Sequence, residues 1–195
     1  DRPLLVSGNT WTSSFVDASY NYFVTLDDFQ LARDSTVSGV AWRGMYLDYD
    51  EATDAFSGVA PDTTHWTIAV VTANSSPGLS FDFVASIDVD ASDVTRTQIG
   101  TRSLNGSSPI PYYDFSVDLP PALAFHLQAG VTYHLGLLSW SDDPSAGLFS
   151  WMSGSGGDGN SRQYSTYTDT TYDAALDRSF TLTGRAVPEP ASLAT

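Results

Sequence analysis

Apolar and polar residues alternate along much of the chain, which is the pattern of β-strands that bury one face and expose the other. In the longest case, apolar residues occupy every second position of residues 79–89, which predicts a strand whose whole apolar set is buried. Within residues 22–31 the apolar positions change phase after Leu26, which predicts a bulge at Asp27-Asp28. Shorter stretches with the same alternation are residues 66–70, 113–119, 133–137 and 180–182.

Clusters of Ser, Asn, Gly, Pro and Asp separate these stretches and are typical of turns, whereas helical periodicity is nearly absent. Many antiparallel strands without helices predict an all-β fold, an antiparallel jelly-roll-like β-sandwich. We expect one such domain over residues 1–186, followed by a disordered tail at residues 187–195, where two prolines flank a glutamate and small residues follow.

The composition narrows the classes of partner. The formal net charge is -15, and the 23 acidic residues comprise 21 Asp and only 2 Glu, which suits a protein rich in turns. There is no lysine. Such an acidic surface repels phosphate backbones and anionic membranes, so nucleic acid is excluded as a partner. The absence of cysteine excludes disulfides and thiolate metal sites, and no apolar run reaches the 18 residues of a membrane span.

The segment Val187-Pro188-Glu189-Pro190-Ala191-Ser192 resembles the opening of the PEP-CTERM sorting signal. The segments Asp27-Asp28-Phe29-Gln30-Leu31 and Val40-Ala41-Trp42-Arg43-Gly44-Met45-Tyr46 are similar to a pattern in the ectodomains of that family. The resemblance implies an exported protein at the outer surface or in the extracellular matrix of a Gram-negative bacterium. It also implies processing by an exosortase, and membrane contact only through a hydrophobic helix that would follow Thr195.

Catalytic motifs are scarce. Glu51 is the only glutamate outside the tail, and the three histidines are accompanied by no nucleophile elbow before a helix. We therefore expect no catalytic residues. A hydrolase that acts on an extracellular polymer through an Asp-based or metal-assisted loop site remains the alternative, and a deep pocket holding aspartates and His65 would favour it.

Two acidic segments are candidates for calcium, a cation that prefers carboxylate and carbonyl oxygens. Asp48, Asp50 and Asp54 follow a predicted strand within seven residues, and Asp158 and Asn160 lie in a glycine-rich loop. Such a loop has the backbone freedom to fold around an ion. Solvated turns are the other interpretation of both segments.

Aromatic residues supply the remaining candidate chemistry, because sugar rings have apolar faces and hydroxylated rims. Trp42 and Trp66 are expected in the core, where large aromatic side chains dominate burial. The aromatic residues of loop-rich stretches are the candidate glycan-binding residues: Tyr112, Trp140, Tyr164, Tyr167 and Tyr172. The leading interpretation is a non-catalytic surface or matrix protein that binds carbohydrate, with exopolysaccharide as the ligand, and a structural coat protein is a further alternative.

Overall fold

A computed structural model describes residues 10–15, 22–50, 55–73, 81–104, 107–143, 147–166 and 170–188. In these residues the chain forms strands and one 3-10 turn at Ala91–Asp93, and it contains no helix long and apolar enough to cross a membrane. The strands are β1 (Thr10–Thr12), β2 (Ser14–Phe15), β3 (Tyr22–Gln30), β4 (Ser35–Asp50), β5 (Ala55–Gly58), β6 (His65–Ala73), β7 (Phe81–Asp90), β8 (Thr95–Arg102), β9 (Ile110–Asp118), β10 (Phe125–Leu127), β11 (Thr132–Trp140), β12 (Leu148–Met152), β13 (Asn160–Ser165), β14 (Thr170–Ala175) and β15 (Phe180–Ala186).

The strands form two packed sheets, so the predicted all-β sandwich is confirmed. Sheet I has the order β1-β12-β4-β9-β8, and β5, β10 and β15 also pair with its long central strand β4. Sheet II has the order β14-β13-β3-β2-β11-β6-β7. Pairing is antiparallel except for the single contact of Ser14 with Ser139. The chain passes from one sheet to the other eight times, after β1, β3, β5, β7, β10, β11, β12 and β14, so strands that are consecutive in sequence often lie in different sheets.

An aromatic core joins the two sheets. Trp42 of sheet I stacks on Phe115 with ring centroids 5.6 Å apart and meets Trp66 of sheet II edge to face. Trp42 and Trp66 are 2% and 1% exposed, which confirms their predicted place in the core. Burial of one such ring stabilises a fold by roughly 1.5–3 kcal/mol, so this cluster holds sheet II firmly against sheet I.

The bulge predicted at Asp27-Asp28 is wrong. Strand β3 pairs with β11 in unbroken register from Gln30 to Thr25. The polar residues Thr25 and Asp27 face the interior and are fully buried. They are accommodated there because the Thr25 hydroxyl donates to Thr12 O over 2.9 Å and an Asp27 carboxylate oxygen accepts the Arg178 N–H over 2.9 Å.

A bulge occurs instead on β7. Val70 pairs with Ala85, but the next residue of β6, Val71, pairs with Phe83, so Val84 is the extra residue. The pairing phase therefore reverses, and Phe81 and Phe83 lie on the outer face of sheet II while Ile87 and Val89 face the core. The prediction that the apolar residues of this strand form one buried face is wrong for these two residues, and Phe83 is 71% exposed.

Candidate functional site

The outer face of sheet II carries a depression of about 290 Å³, which we call the cleft. Its floor is formed at the centre of the sheet, where Gly136 pairs with Leu26 on one side and with Ala69 on the other. Four aromatic side chains contributed by β3, β7 and β13 line it: Tyr22, Phe81, Phe83 and Tyr164.

Gly136 gives the cleft its depth. A Cβ atom at this position would lie 2.7 Å from a methyl group of Leu26 and 3.4 Å from one of Val24. A larger side chain at residue 136 would therefore push Leu26 aside and fill the floor. The cleft exists because β11 carries no side chain at the point where its neighbours lean over it.

A rigid aromatic group, Trp140, contacts two of the residues that line the cleft, Tyr22 and Thr67. Trp140 stacks on His65 with ring centroids 5.4 Å apart and an interplanar angle of 8°. Its indole N–H donates to the Thr67 hydroxyl over 2.9 Å, and its ring lies 6.3 Å from that of Tyr22. These contacts fix the orientation of Trp140, so its side chain would lose little conformational entropy on contact with a ligand.

One end of the cleft is polar. A pocket of about 320 Å³, which we call the polar end, adjoins the cleft at Leu26, a residue that lines both. The Arg162 guanidinium lies 3.6 Å from the Asp173 carboxylate. The side chains that line this end carry charges or hydrogen-bonding groups: Asp28, His134, Asp158, Asn160, Arg162 and Asp173.

Burial lowers the pKa of His134, and the attraction of Asp28 opposes that effect, while Arg162 lowers the pKa further and Asp158 raises it. Because the ordinary pKa is already below neutrality, the His134 ring is uncharged at pH 7. Its edge-to-face contact with Phe81, at 5.7 Å between centroids, joins the polar end to the aromatic lining.

A buried carboxylate supports the loop beside the polar end. The backbone N–H groups of Gly157 and Gly159 donate to Asp177 over 2.9 and 3.0 Å. Gly159 has a φ of +84°, a left-handed conformation that suits glycine. Next to Asp177, the Arg178 side chain is fully buried and donates to the carbonyl oxygens of Ala175 and Leu176 over 3.0 and 2.7 Å. Arg178 thereby ties the loop between β14 and β15 to the end of β14.

The structure brings two of the five predicted glycan-binding residues, Trp140 and Tyr164, to the outer face of sheet II. Tyr112 is half-buried in sheet I, where it packs on a small apolar cluster that includes Met45. Tyr172 is 40% exposed but pairs with the inward-facing Gln163, so it lies on the opposite face of the edge strand from the cleft. Tyr167 lies outside the described residues.

The predicted calcium ligands fall in two separate places. Asp48 and Asp50 are exposed at the end of β4 in sheet I, and Asp54 lies outside the described residues. Asp158 and Asn160 line the polar end, where the Asp158 carboxylate accepts the backbone N–H of Asn160 over 2.8 Å. Among the residues described, no three His, Asp or Glu side chains are grouped as a metal would require. Calcium binding stays a prediction.

A second groove, of about 710 Å³, lies at the edge between the sheets. Aspartates and His65 line it, which is the combination that the hydrolase alternative requires. A general acid needs a carboxyl shielded from water, however, and these carboxylates are exposed. The aspartates concerned are Asp88, Asp90, Asp93 and Asp118.

Sequence reasoning missed four residues of the cleft because it placed them on a buried face. A signal for them exists, since residues 22–31 are apolar in both phases of the strand, which marks a sheet with two apolar faces. The change of phase after Leu26 therefore arises because both faces of β3 carry apolar residues, and the strand needs no bulge. The residues concerned are Tyr22, Val24, Phe81 and Phe83.

Comparison with known proteins identifies no relative. The chain matches no protein-family model, no curated protein and no solved structure. The chemistry of the cleft is therefore the basis on which a function is proposed.

Proposed function

We propose that this domain is a non-catalytic glycan-binding protein and that the cleft is its binding site. The observation that carries the proposal is the 71% exposure of Phe83 beside a depression whose floor is glycine and alanine. A large apolar ring exposed at the rim of a concave surface is typical of an interaction site. The apolar face of a sugar ring fits an aromatic lining of this kind, and the polar end supplies partners for its hydroxyl groups.

The size of the site supports an oligosaccharide as the ligand. The apolar and polar volumes, about 290 and 320 Å³, each lie near the lower bound of roughly 300 Å³ for small-molecule pockets. Because they adjoin at Leu26, we expect consecutive sugar units of one polymer to occupy them. The cleft lies on a sheet face, which a polysaccharide can cross without presenting a chain end.

The surface location rests on the resemblance of residues 187–192 to a sorting signal. Strand β15 ends at Ala186, immediately before that segment. We propose that the domain is displayed at the outer surface or in the extracellular matrix, where exopolysaccharide is abundant, and that an exosortase acts on its precursor. A non-catalytic binding domain of this kind would hold matrix polymer at the cell surface.

The test is affinity electrophoresis through gels that contain a neutral β-glucan, chitosan or alginate. We expect at least one of these polymers to retard the wild-type protein, and the Phe83→Ala/Tyr164→Ala variant to migrate as it does in an empty gel. Tyr49→Ala is the matched control, because Tyr49 is an exposed aromatic residue of sheet I, 46% exposed. Retardation of the double variant equal to that of wild type would disprove the assignment of the site, and no retardation by any polymer would disprove the function.

The hydrolase alternative has one observation in its favour, the groove that contains His65 and exposed aspartates. It is tested on the same polymers by measuring released reducing ends. We expect no release above the buffer blank, because the carboxylates of the groove are solvated. Release that Asp90→Asn abolishes would replace the binding proposal with the catalytic one.

A further inference from the structure

A further cavity of about 310 Å³, which we call the Arg96 cavity, is lined by residues of both sheets and of the segment that links β7 to β8. Among the described residues, it shares none with the cleft, the polar end or the groove of aspartates. Its described lining contains no carboxylate, and three of the lining side chains are the aromatic rings of Tyr46, Trp66 and Phe115. Its volume is near the lower bound of roughly 300 Å³ for small-molecule sites, so it has room for one small ligand.

Arg96 supplies the positive charge of this cavity. It pairs with the buried Phe115 across β8 and β9, so its side chain lies on the core-facing side of the edge strand β8. The guanidinium lies over the Tyr113 ring, 5.6 Å from its centroid, and it forms no ion pair with any described carboxylate. Because Arg96 is also exposed, an anionic group from solvent can reach it.

Hydroxyl groups form the buried end of the same cavity. The Tyr46 hydroxyl is hydrogen-bonded to that of Thr63, which lies 2.7 Å from the Ser139 hydroxyl. Burial raises the pKa of Tyr46 and the charge of Arg96 partly opposes that rise, so the guanidinium and the phenol act on one space. The cavity therefore combines one cation with hydroxyl groups that can donate or accept hydrogen bonds.

We propose that the Arg96 cavity is a second ligand site and that it binds a small sugar acid, such as a uronic acid. The carboxylate would pair with Arg96, because the planar fork of N–H donors on a guanidinium matches the two oxygens of a carboxylate. The hydroxyl groups of the sugar would exchange hydrogen bonds with Thr63 and Tyr46. This site goes beyond the proposed function of the cleft and does not depend on it.

The net charge of -15 does not prevent an anion from binding here. At physiological ionic strength the Debye length is about 8 Å, so the charges of distant aspartates are screened, whereas Arg96 would touch the ligand. A single carboxylate also suits a single guanidinium better than a phosphate ester, which brings roughly two negative charges. Since a hydrogen bond to a charged group is stronger than a neutral one, we expect a carboxylate at this position to increase affinity roughly 10–100-fold.

The test is NMR titration with glucuronate and with glucose, which differ only in the carboxylate or hydroxymethyl group at C6. We expect glucuronate to shift the Arg96 Nε–H signal and to bind roughly 10–100-fold more tightly than glucose. Arg96→Gln should abolish this preference. Arg185→Gln is the matched control, because it removes the same charge from an exposed position of sheet I and should keep the preference.

Two further measurements examine the hydroxyl groups and the source of the ligand. Thr63→Val, which removes one hydroxyl at nearly constant volume, should weaken glucuronate binding several-fold and leave the affinity for acetate unchanged. A thermal scan confirms that each variant is folded. Methyl β-glucuronide has its anomeric oxygen blocked, as in a polymer, so binding equal to that of glucuronate would assign the site to a terminal unit of a polymer, and much weaker binding would assign it to the free acid.

The contrary results are distinct from those that concern the cleft. Equal affinity for glucuronate and glucose would overturn the inference, and Arg96 would then serve only as an inward-facing charge that opposes strand pairing at the β8 edge. Equally tight binding of acetate, or an equal loss in Arg185→Gln, would overturn it too. The Phe83→Ala/Tyr164→Ala variant should bind glucuronate as wild type does, and a loss there would place the ligand in the cleft. Glucuronate binding without retardation by any polymer would leave this inference standing while the function of the cleft fails.

Discussion

Replacing Phe83 with alanine separates binding from folding, because the ring lies mostly in water. An aromatic side chain buries roughly 200 Å² when it is fully covered. At 71% exposure, about 60 Å² of Phe83 is buried in the free protein and about 140 Å² is left for a ligand. At about 25 cal/mol per Å², the variant should lose at most ~1.5 kcal/mol of folding stability and up to ~3.5 kcal/mol of binding free energy.

A ligand that covers half of the exposed area would thus lose ~1.8 kcal/mol, or about 20-fold in affinity. The melting temperature should fall by about 6 °C at most, since 1 kcal/mol corresponds to roughly 2–4 °C in a chain of this size. Calorimetric titration with the glycan that retards the wild-type protein measures the loss of affinity, and a thermal scan measures the change in melting temperature. Tyr49→Ala, in the other sheet, should leave the affinity unchanged.

Two results would refute the reasoning. If Phe83→Ala binds within twofold of wild type, the exposed ring does not contact the ligand, and the cleft is not the site. If the variant loses far more than about 6 °C in melting temperature, Phe83 contributes mainly to packing, and its exposure no longer indicates a binding role.

Three further predictions concern the buried and titrating groups. The buried carboxylates of Asp27 and Asp177 attract the buried Arg178 guanidinium, so Arg178→Met removes their opposite charge and should destabilise the fold by roughly 3–5 kcal/mol in denaturant titration. The exposed Arg185→Met should have almost no effect, and similar values for both would contradict this. Burial raises the pKa of Tyr46 to about 12 from 10.0, so the stabilisation linked to its proton is complete below pH 10, and roughly 2–3 kcal/mol of it should be lost as the pH rises through about 12. Unfolding curves of wild type and Tyr46→Phe above pH 10 should therefore converge, and parallel curves would refute the assignment. Asp28→Asn should lower the pKa of His134 further, because Asp28 attracts its protonated form; an unchanged imidazole titration by NMR would count against the described polar end.

The strands and the core were predictable from the sequence because they depend on a single requirement. A sandwich buries one face of each strand, so the alternating residues around Trp66, Phe115 and Leu135 could face only one way. The register of those strands follows from the same constraint, since a slip of one residue would expose the entire apolar set. The all-β sandwich could therefore be predicted from the alternation of apolar and polar residues alone.

The cleft was not predictable in the same way, because its lining depends on partners that are distant in sequence. The bulge that turns Phe83 outward lies between β6 and β7, at a position that alternation within one strand does not reveal. Trp140 was predicted to be exposed in a loop, yet it ends a strand and is fixed by Thr67 and His65. A pattern read along one strand specifies which residues share a face, but the neighbouring strands determine which face meets the core.

Strand β3 shows that the buried polar network and the apolar lining of the cleft have one cause. Asp27 faces the interior, where its carboxylate accepts the backbone N–H of Arg178, a residue 151 positions away in the sequence. Since side chains alternate along a strand, an inward Asp27 requires that Leu26 and Tyr22 face outward. The polar residues of β3 that face the interior thus place its apolar residues in the lining of the cleft. A substitution that disturbs the Arg178 network should therefore weaken ligand binding from the opposite side of the sheet, without touching any residue that lines the cleft.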